Sequence, residues 1–204
     1  MRKHLAGVCL LLALCMSAAV ARAQELSAAD KDRAMQYLES TKKNIVDATK
    51  GLSEAQWNFK AGPDRWSIAQ VMEHIAAAED LIRGMIVDQG MKAPAGEPGR
   101  DFKKTDDAVV AMIPDRSHKA QAPEPLKPTN RFGSPEEAVK HFLASRAETE
   151  QFLDNTPGLR QHVSDSPMGM KLDCYEWILF LTAHSERHLK QILEVKADPG
   201  FPKA

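Results

Sequence analysis

Three of the seven histidines stand where metal chemistry would need them: His74 in VMEHIAAAE, and His184 and His188 in TAHSERHLKQI. The last two are four residues apart in a segment that reads as a helix. That spacing puts both imidazoles on one face, about one turn apart. A third imidazole from a facing helix would complete a three-nitrogen metal site with room for water.

Helical geometry sharpens this. With about 100° per residue and His184 at zero, His188 lies near ~40°, Leu181 near ~60°, Trp177 near ~20° and Gln191 near about −20°. A stripe that also carries Trp177 and Leu181 faces a protein interior. Glu186 falls near ~200° on the same wheel, on the opposite side. HSERH is therefore not a variant of the protease motif HExxH, in which a glutamate directly follows the first histidine and reaches the metal-bound water. Ser185 holds that position here. His74 is flanked by Val71, Ile75 and Ala78, and so lies on or beside a buried stripe, with Gln70 one turn before it. Burying three imidazoles without partners is costly. A shared ion would satisfy one nitrogen of each, and backbone groups, Gln70 or Gln191 could hold the others as an outer layer. The competing reading is that these are hydrogen-bonded core histidines. His118 and His162 read as solvated loop residues. His141 and Glu148 share one side of a helix and could reach the site, whereas Glu73 and Glu79 lie off the His74 face.

The bulk properties say where such a site would operate. Arg2, Lys3 and His4, the apolar run Leu5 to Val20, and Ala21-Arg22-Ala23 before Gln24 form the pattern of a secretory signal peptide over residues 1–23. A retained anchor is the alternative, although the apolar run is short for a span of roughly 20 residues. A periplasmic or secreted protein is expected. Cleavage after Ala23 leaves 181 of the 204 residues, enough for one domain, 24–204, with a sizeable core. Removing Arg2, Lys3 and Arg22 from the 27 basic residues leaves 24 against 28 acidic ones. A net charge of −4 with no basic run gives no electrostatic case for nucleic acid. No membrane span is expected after signal cleavage. Cys174 is then the sole cysteine, so no internal disulfide can form. It sits near a helix N-terminus, which can lower a thiol pKa, but it reads as a packing residue.

The positioning elements are four amphipathic helices, an all-α four-helix bundle, with no convincing strand pattern. The first runs from about Ala28 to Lys50, with Ser27 as N-cap, Met35, Leu38, Ile45 and Ala48 on its apolar face, and Gly51 ending it. A loop, LSEAQWNFKAGPDRW, follows. Trp57 and Trp66 in it are expected to close the bundle end. The second helix opens at Ser67 with Gln70 in a capping box, carries Ile68, Val71, Met72, Ile75, Leu81, Ile82 and Met85, and ends near Gly90. Residues 91–133 form a long connection with six of the twelve prolines, room for a short helix around Asp106–Ile113, and enough length to run along a bundle. The third helix starts at Ser134-Pro135 with Glu137 as reciprocal partner, buries Ala138, Phe142, Phe152 and Leu153, and ends at Asn155. The fourth starts at Asp173 with Glu176 in the capping position and runs to about Lys196, after which Phe201-Pro202 can fold back onto the bundle.

Together these segments resemble the DinB-like superfamily. LSEAQWNFKAGPDRWSIAQVMEHIAAAED resembles its loop and second helix, and DCYEWILFLTAHSERHLKQILEVKADPGFP its last helix. The shared features are WSIAxVxxH from Trp66 to His74, the HxxxH pair at His184 and His188, and Gln191 beyond it. The resemblance implies up-down-down-up connectivity with a long crossover between helices two and three. It also implies a divalent metal held by His74, His184 and His188. Three imidazoles suit zinc first, then nickel or iron. Relatives of this kind include thiol-dependent transferases and isomerases and probable metal-dependent hydrolases. The expected partners are therefore a small-molecule substrate or a low-molecular-weight thiol, and a homodimer is compatible with the fold. The other class of function is a non-catalytic metal-binding or interaction protein of the envelope.

Overall fold

The structure, a computed structural model, describes residues 25–203, so the expected signal peptide over residues 1–23 lies outside the described residues. Among the described residues six α-helices are present: α1 (Ala28–Thr49), α2 (Glu54–Asn58), α3 (Ile68–Asp88), α4 (Phe102–Met112), α5 (Pro135–Asn155) and α6 (Cys174–Lys196). The four long ones, α1, α3, α5 and α6, make the bundle. Short 3-10 turns occupy Gly90–Lys92 and Glu124–Leu126. No described helix is long and apolar enough to cross a membrane.

The caps start these helices where their side chains dictate. Ser27, Ser67, Ser134 and Asp173 each accept from a backbone N–H of the first turn. Ser67 with Gln70, and Asp173 with Glu176, close full capping boxes. At Ser134 the expected box stays half-closed, because the Glu137 side chain turns to Lys140. Gly51, at φ 71°, takes the left-handed conformation that ends α1.

Helix directions follow from paired contacts. Along α1 and α6, Tyr175 Oη donates to Asp30 O (2.7 Å), Tyr37 meets Glu186, and Lys196 Nζ donates to Ala48 O (2.7 Å), so the two are parallel. Lys31 with Asp154, and Arg146 with Leu38 O, make α5 antiparallel to α1. His141 with Asp80, and Glu148 with Arg83, make α5 parallel to α3. The topology is up-down-down-up. Two neighbouring parallel helices of about 30 Å cannot be joined by a short turn. The long connection from 91 to 133 is therefore a geometric necessity.

Four local readings differ. The loop after α1 contains the one-turn helix α2, started by Ser53 and Gln56 in a capping box that the S-x-x-Q spacing encodes. The crossover helix α4 begins at Phe102 rather than near Asp106, because Asp101 caps it through Lys104 N. A two-stranded antiparallel hairpin, β1 (Val163–Asp165) with β2 (Lys171–Asp173), precedes α6. Its three-residue strands are too short to show a period of two. Leu81, expected on the buried stripe of α3, is 39% exposed, and Ile86 is buried instead. As expected, the C-terminal segment folds back: Phe201 packs edge-on against Phe59, and Gln56 Nε2 donates to Pro202 O.

Two buried charge clusters lock the helices in place. Arg146 on α5 is wholly buried. It makes two hydrogen bonds to the Glu79 carboxylate on α3 (2.7 and 2.8 Å), and also donates to Leu38 O and Thr41 on α1 and to Ser185 Oγ on α6 (2.9 Å). One guanidinium thus touches all four long helices. At the far end Arg160 pairs with Asp106 of α4 and with Asp173, lies over the Tyr175 ring, and sits beside Glu176, which Arg100 also reaches. Three buried carboxylates there face two guanidiniums, and Glu176 Oε1 has no hydrogen-bond partner. Burial, with the Asp173 charge behind it, pushes the Glu176 carboxyl up to about 8.

Arg146→Ala leaves Glu79 buried without its counter-charge and is expected to cost about 3–5 kcal/mol in urea unfolding. Arg146→Met combined with Glu79→Gln recovers part of that loss. Because the folded Glu176 pKa is raised, its contribution to stability is complete below the unfolded value of 4.5 and is lost as pH rises through about 8. Unfolding measured from pH 4.5 to 8 should show wild type falling steadily behind Glu176→Gln.

Candidate metal centre

His74 lies in the second turn of α3, and His184 and His188 in the middle of α6, which runs antiparallel to α3. Their Nε2 atoms converge: His74 to His188 is 3.1 Å, and His74 to His184 is 3.2 Å. His74 and His188 are buried and His184 is half-buried. Among the described residues this is the one group of three or more histidine, cysteine or acidic side chains placed to hold a metal ion.

The outer nitrogens decide the protonation pattern. His74 Nδ1 lies 2.9 Å from the Leu126 carbonyl oxygen, which can only accept. The ring must donate there, leaving a lone pair on Nε2. His188 Nδ1 lies 2.8 Å from Gln191 Oε1, and the Arg116 guanidinium favours the same orientation of that amide. His188 Nε2 therefore also carries a lone pair, aimed at that of His74. A proton on His184 Nε2 could serve one of these lone pairs but not both. Protonating the rings is no remedy. Burial lowers the pKa of all three, His184 to about 3 and His188 well below its ordinary value, and each charge would repel the next.

A cation among the three nitrogens resolves the conflict. Donors about 2.0–2.1 Å from a tetrahedral zinc lie about 3.3–3.4 Å apart, within a few tenths of an ångström of the spacing here. The residues present fit a divalent ion.

Aromatic rings wall the site. Trp66 lies 5.0 Å from the His74 ring, and Phe180 stacks on His184 at 6.5 Å. Trp66 was expected to close the bundle end, yet it belongs to the wall of the histidine cluster. Trp57 is buried. The carboxylates nearest in sequence are all engaged elsewhere. Glu73 accepts from the amides of Thr129, Asn130 and Arg131. Burial opposes its charge, but these donors and the Arg131 guanidinium outweigh it and hold the carboxyl below its usual range. Glu79 is bound to Arg146, and Glu186 faces Tyr37 and Lys190. Ser185, in the position that the protease motif gives to glutamate, is buried and accepts from Arg146.

The other sequence candidates fall outside the cluster. Gln70 Oε1 accepts from Ser67 N, and its side chain borders a cleft of about 370 Å³ shared with Lys60, Glu73 and Ser134. None of the three histidines lines that cleft. His141 is hydrogen-bonded to Asp80, and Glu148 is ion-paired with Arg83. His162 Nδ1 meets Ala93 O, and His118 is exposed. Cys174 is buried and its thiol is pushed up to about 12 by that burial, so the helix N-terminus does not activate it. The partner of His74 that sequence reasoning missed is the Leu126 carbonyl, a backbone atom with no residue-type signal. Arg116 and Arg187, which tie the same connection to α6, lacked one too.

Comparison with known proteins agrees with this fold. The family model of the DinB superfamily matches residues 37–192. The uncharacterized protein YuaE of Bacillus subtilis is 27% identical over 151 residues, covering 72% of this chain and 87% of that protein. Among solved structures, YfiT from Bacillus subtilis superposes with a TM-score of 0.54 at 14% identity, over 87% of this chain and 91% of that one. YfiT is described as a probable metal-dependent hydrolase with an unusual four-helix bundle topology.

In metal-free protein at neutral pH, long-range proton–nitrogen NMR should show His74 and His188 as neutral rings protonated at Nδ1; an imidazolium pattern would contradict the geometry. Because the folded pKa values are lowered, the stability these rings contribute is present above the unfolded value of 6.5 and is lost as pH falls toward about 3.

Proposed function

Because the chain belongs to the DinB superfamily and its three imidazole nitrogens converge, we propose that it is a metal-dependent enzyme of that superfamily, a hydrolase or a thiol-dependent transferase. Zinc is the first choice of ion, ahead of nickel or iron, held by His74, His184 and His188. The observation that carries this reading is the pair of facing lone pairs on His74 and His188 at 3.1 Å, with both Nδ1 protons committed outward. When bound, a divalent ion held by three neutral donors keeps its full charge, acts as a Lewis acid, and lowers the pKa of a water or thiol to near neutrality.

The chain's own contribution is positional. The Leu126 carbonyl and Gln191 fix the orientation and tautomer of His74 and His188, as outer partners do for metal-bound histidines. Trp66 and Phe180 form apolar walls that restrict water. The description of YfiT as a probable metal-dependent hydrolase supports the hydrolytic branch. The signal-peptide pattern of residues 1–23 supports the reading of an exported protein.

One observation favours a second, non-catalytic reading: Glu73, Glu79 and Glu186 are each committed to structural partners, so none is free to act as a general base. A metal-binding protein of the envelope needs no such base.

Protein purified without chelators should contain about one equivalent of divalent metal. Zinc at about 100 times its dissociation constant should stabilise it by about 3 kcal/mol, and His184→Ala should lose most of that gain. A wild type that binds no metal overturns the reading. Small thiols or hydroxamates should perturb the visible spectrum of the cobalt form if the centre is catalytic, whereas an unresponsive cobalt spectrum favours the second reading.

A further inference from the structure

The crossover between α3 and α5 does more than connect parallel helices. We propose that residues 113–126 form a strap whose docking is coupled to metal binding, and that Arg187 is the positioning residue that pins it. The proposal rests on the metal reading above.

The strap has two feet, one on each ligand-bearing helix. On α6, Arg187 donates to the carbonyls of Ile113, Asp115 and His118, and Lys190 reaches Pro114 O. Beside them Arg116 makes two hydrogen bonds to Glu194 (2.6 and 2.7 Å) and leans on Gln191, the residue that holds His188 Nδ1. On α3, the Leu126 carbonyl takes the Nδ1 proton of His74. Just beyond it the Glu73 carboxylate gathers the amides of Thr129, Asn130 and Arg131. Between the feet, residues such as Lys119 and Gln121 are exposed.

The strap and a bound ion therefore clasp the same two helices and share the His74 ring. Metal fixes the position of Nε2, which fixes where Nδ1 points, and the Leu126 carbonyl must be there to meet it. A strap out of place frees His74 to turn, which weakens the metal. Coupling of this kind is reciprocal: whatever factor docking adds to metal affinity, metal adds to docking.

Arg187 separates this coupling from simple electrostatics by the sign of the effect. Its charge lies close enough to His184 to disfavour a positive charge there. If charge alone mattered, Arg187→Ala would tighten zinc binding. If Arg187 acts by pinning the strap, the same substitution weakens it, by about tenfold, the lower range for loss of an outer partner. Arg187→Lys keeps the charge but cannot span three carbonyls, and is expected to weaken zinc as well.

Two measurements test this on the mature protein: zinc affinity by competition with a chromophoric chelator, and the rate of trypsin cleavage at Lys119 with and without zinc. In wild type, zinc should slow cleavage severalfold, and in either variant that protection should shrink. Melting of the metal-free variants checks that they fold; if Arg187→Ala does not, Arg187→Lys and the wild-type cleavage rates still decide. Zinc binding that is unchanged or tighter in Arg187→Ala, or wild-type cleavage indifferent to zinc, overturns the strap and leaves the metal reading standing. Failure of wild type to bind zinc overturns both.

Discussion

Two lone pairs held 3.1 Å apart, on rings that each donate their single proton elsewhere, repel one another. The bundle holds His74 and His188 in that arrangement by packing and by outer hydrogen bonds rather than by any attraction between the rings. Such a contact is stable only if a cation accepts both pairs, or if the surrounding structure absorbs the repulsion. Burial closes the other exit, since an imidazolium in this site would be poorly solvated and would face two neighbours able to carry the same charge. The consequences run outward from this constraint: the tautomers, the need for Leu126 and Gln191, and the rigid placing of α3 against α6.

Rigidity has an identifiable source. Arg146 reaches every long helix of the bundle, and its contact with Ser185 fixes α6 one residue from His184. Gly90 performs the complementary task at the other end of the same helix pair. A Cβ there would come within 3.1 Å of Cys174 Sγ, so glycine lets the end of α3 approach the start of α6. A buried ion pair is a weak source of net stability, because desolvation offsets much of the attraction. Its value here lies in register. A guanidinium with partners on three other helices is fully satisfied in only one relative placement of them.

Topology and chemistry are joined by the crossover. Because α3 and α5 run parallel as neighbours, the chain must return along the bundle, and the return passes over the two helices that carry the histidines. A meander of antiparallel helices with short turns would have left His74 without the Leu126 carbonyl and His188 without the Arg116–Gln191 contact. The length of the connection, which looks like irregular filler in the sequence, is what supplies the backbone acceptor.

Residue types and spacing by themselves determined a good deal. His184 and His188 share a face because four residues make about one helical turn, and Trp177 and Leu181 on that face show that it points inward. Ser67 with Gln70 and Asp173 with Glu176 marked two helix starts, because capping is a contact within four residues. The segments around Trp66–His74 and His184–Gln191 carried the family likeness. The pairing of helices, the hairpin before α6, the exposure of Leu81 and the role of Trp66 depended on the tertiary structure. So did the partner of His74, 52 residues away, and the engagement of every nearby carboxylate. The division has one physical cause. Periodicity and capping act over a few residues and leave a trace in local order, whereas a carbonyl meeting an imidazole, or a guanidinium joining four helices, depends on how distant segments pack.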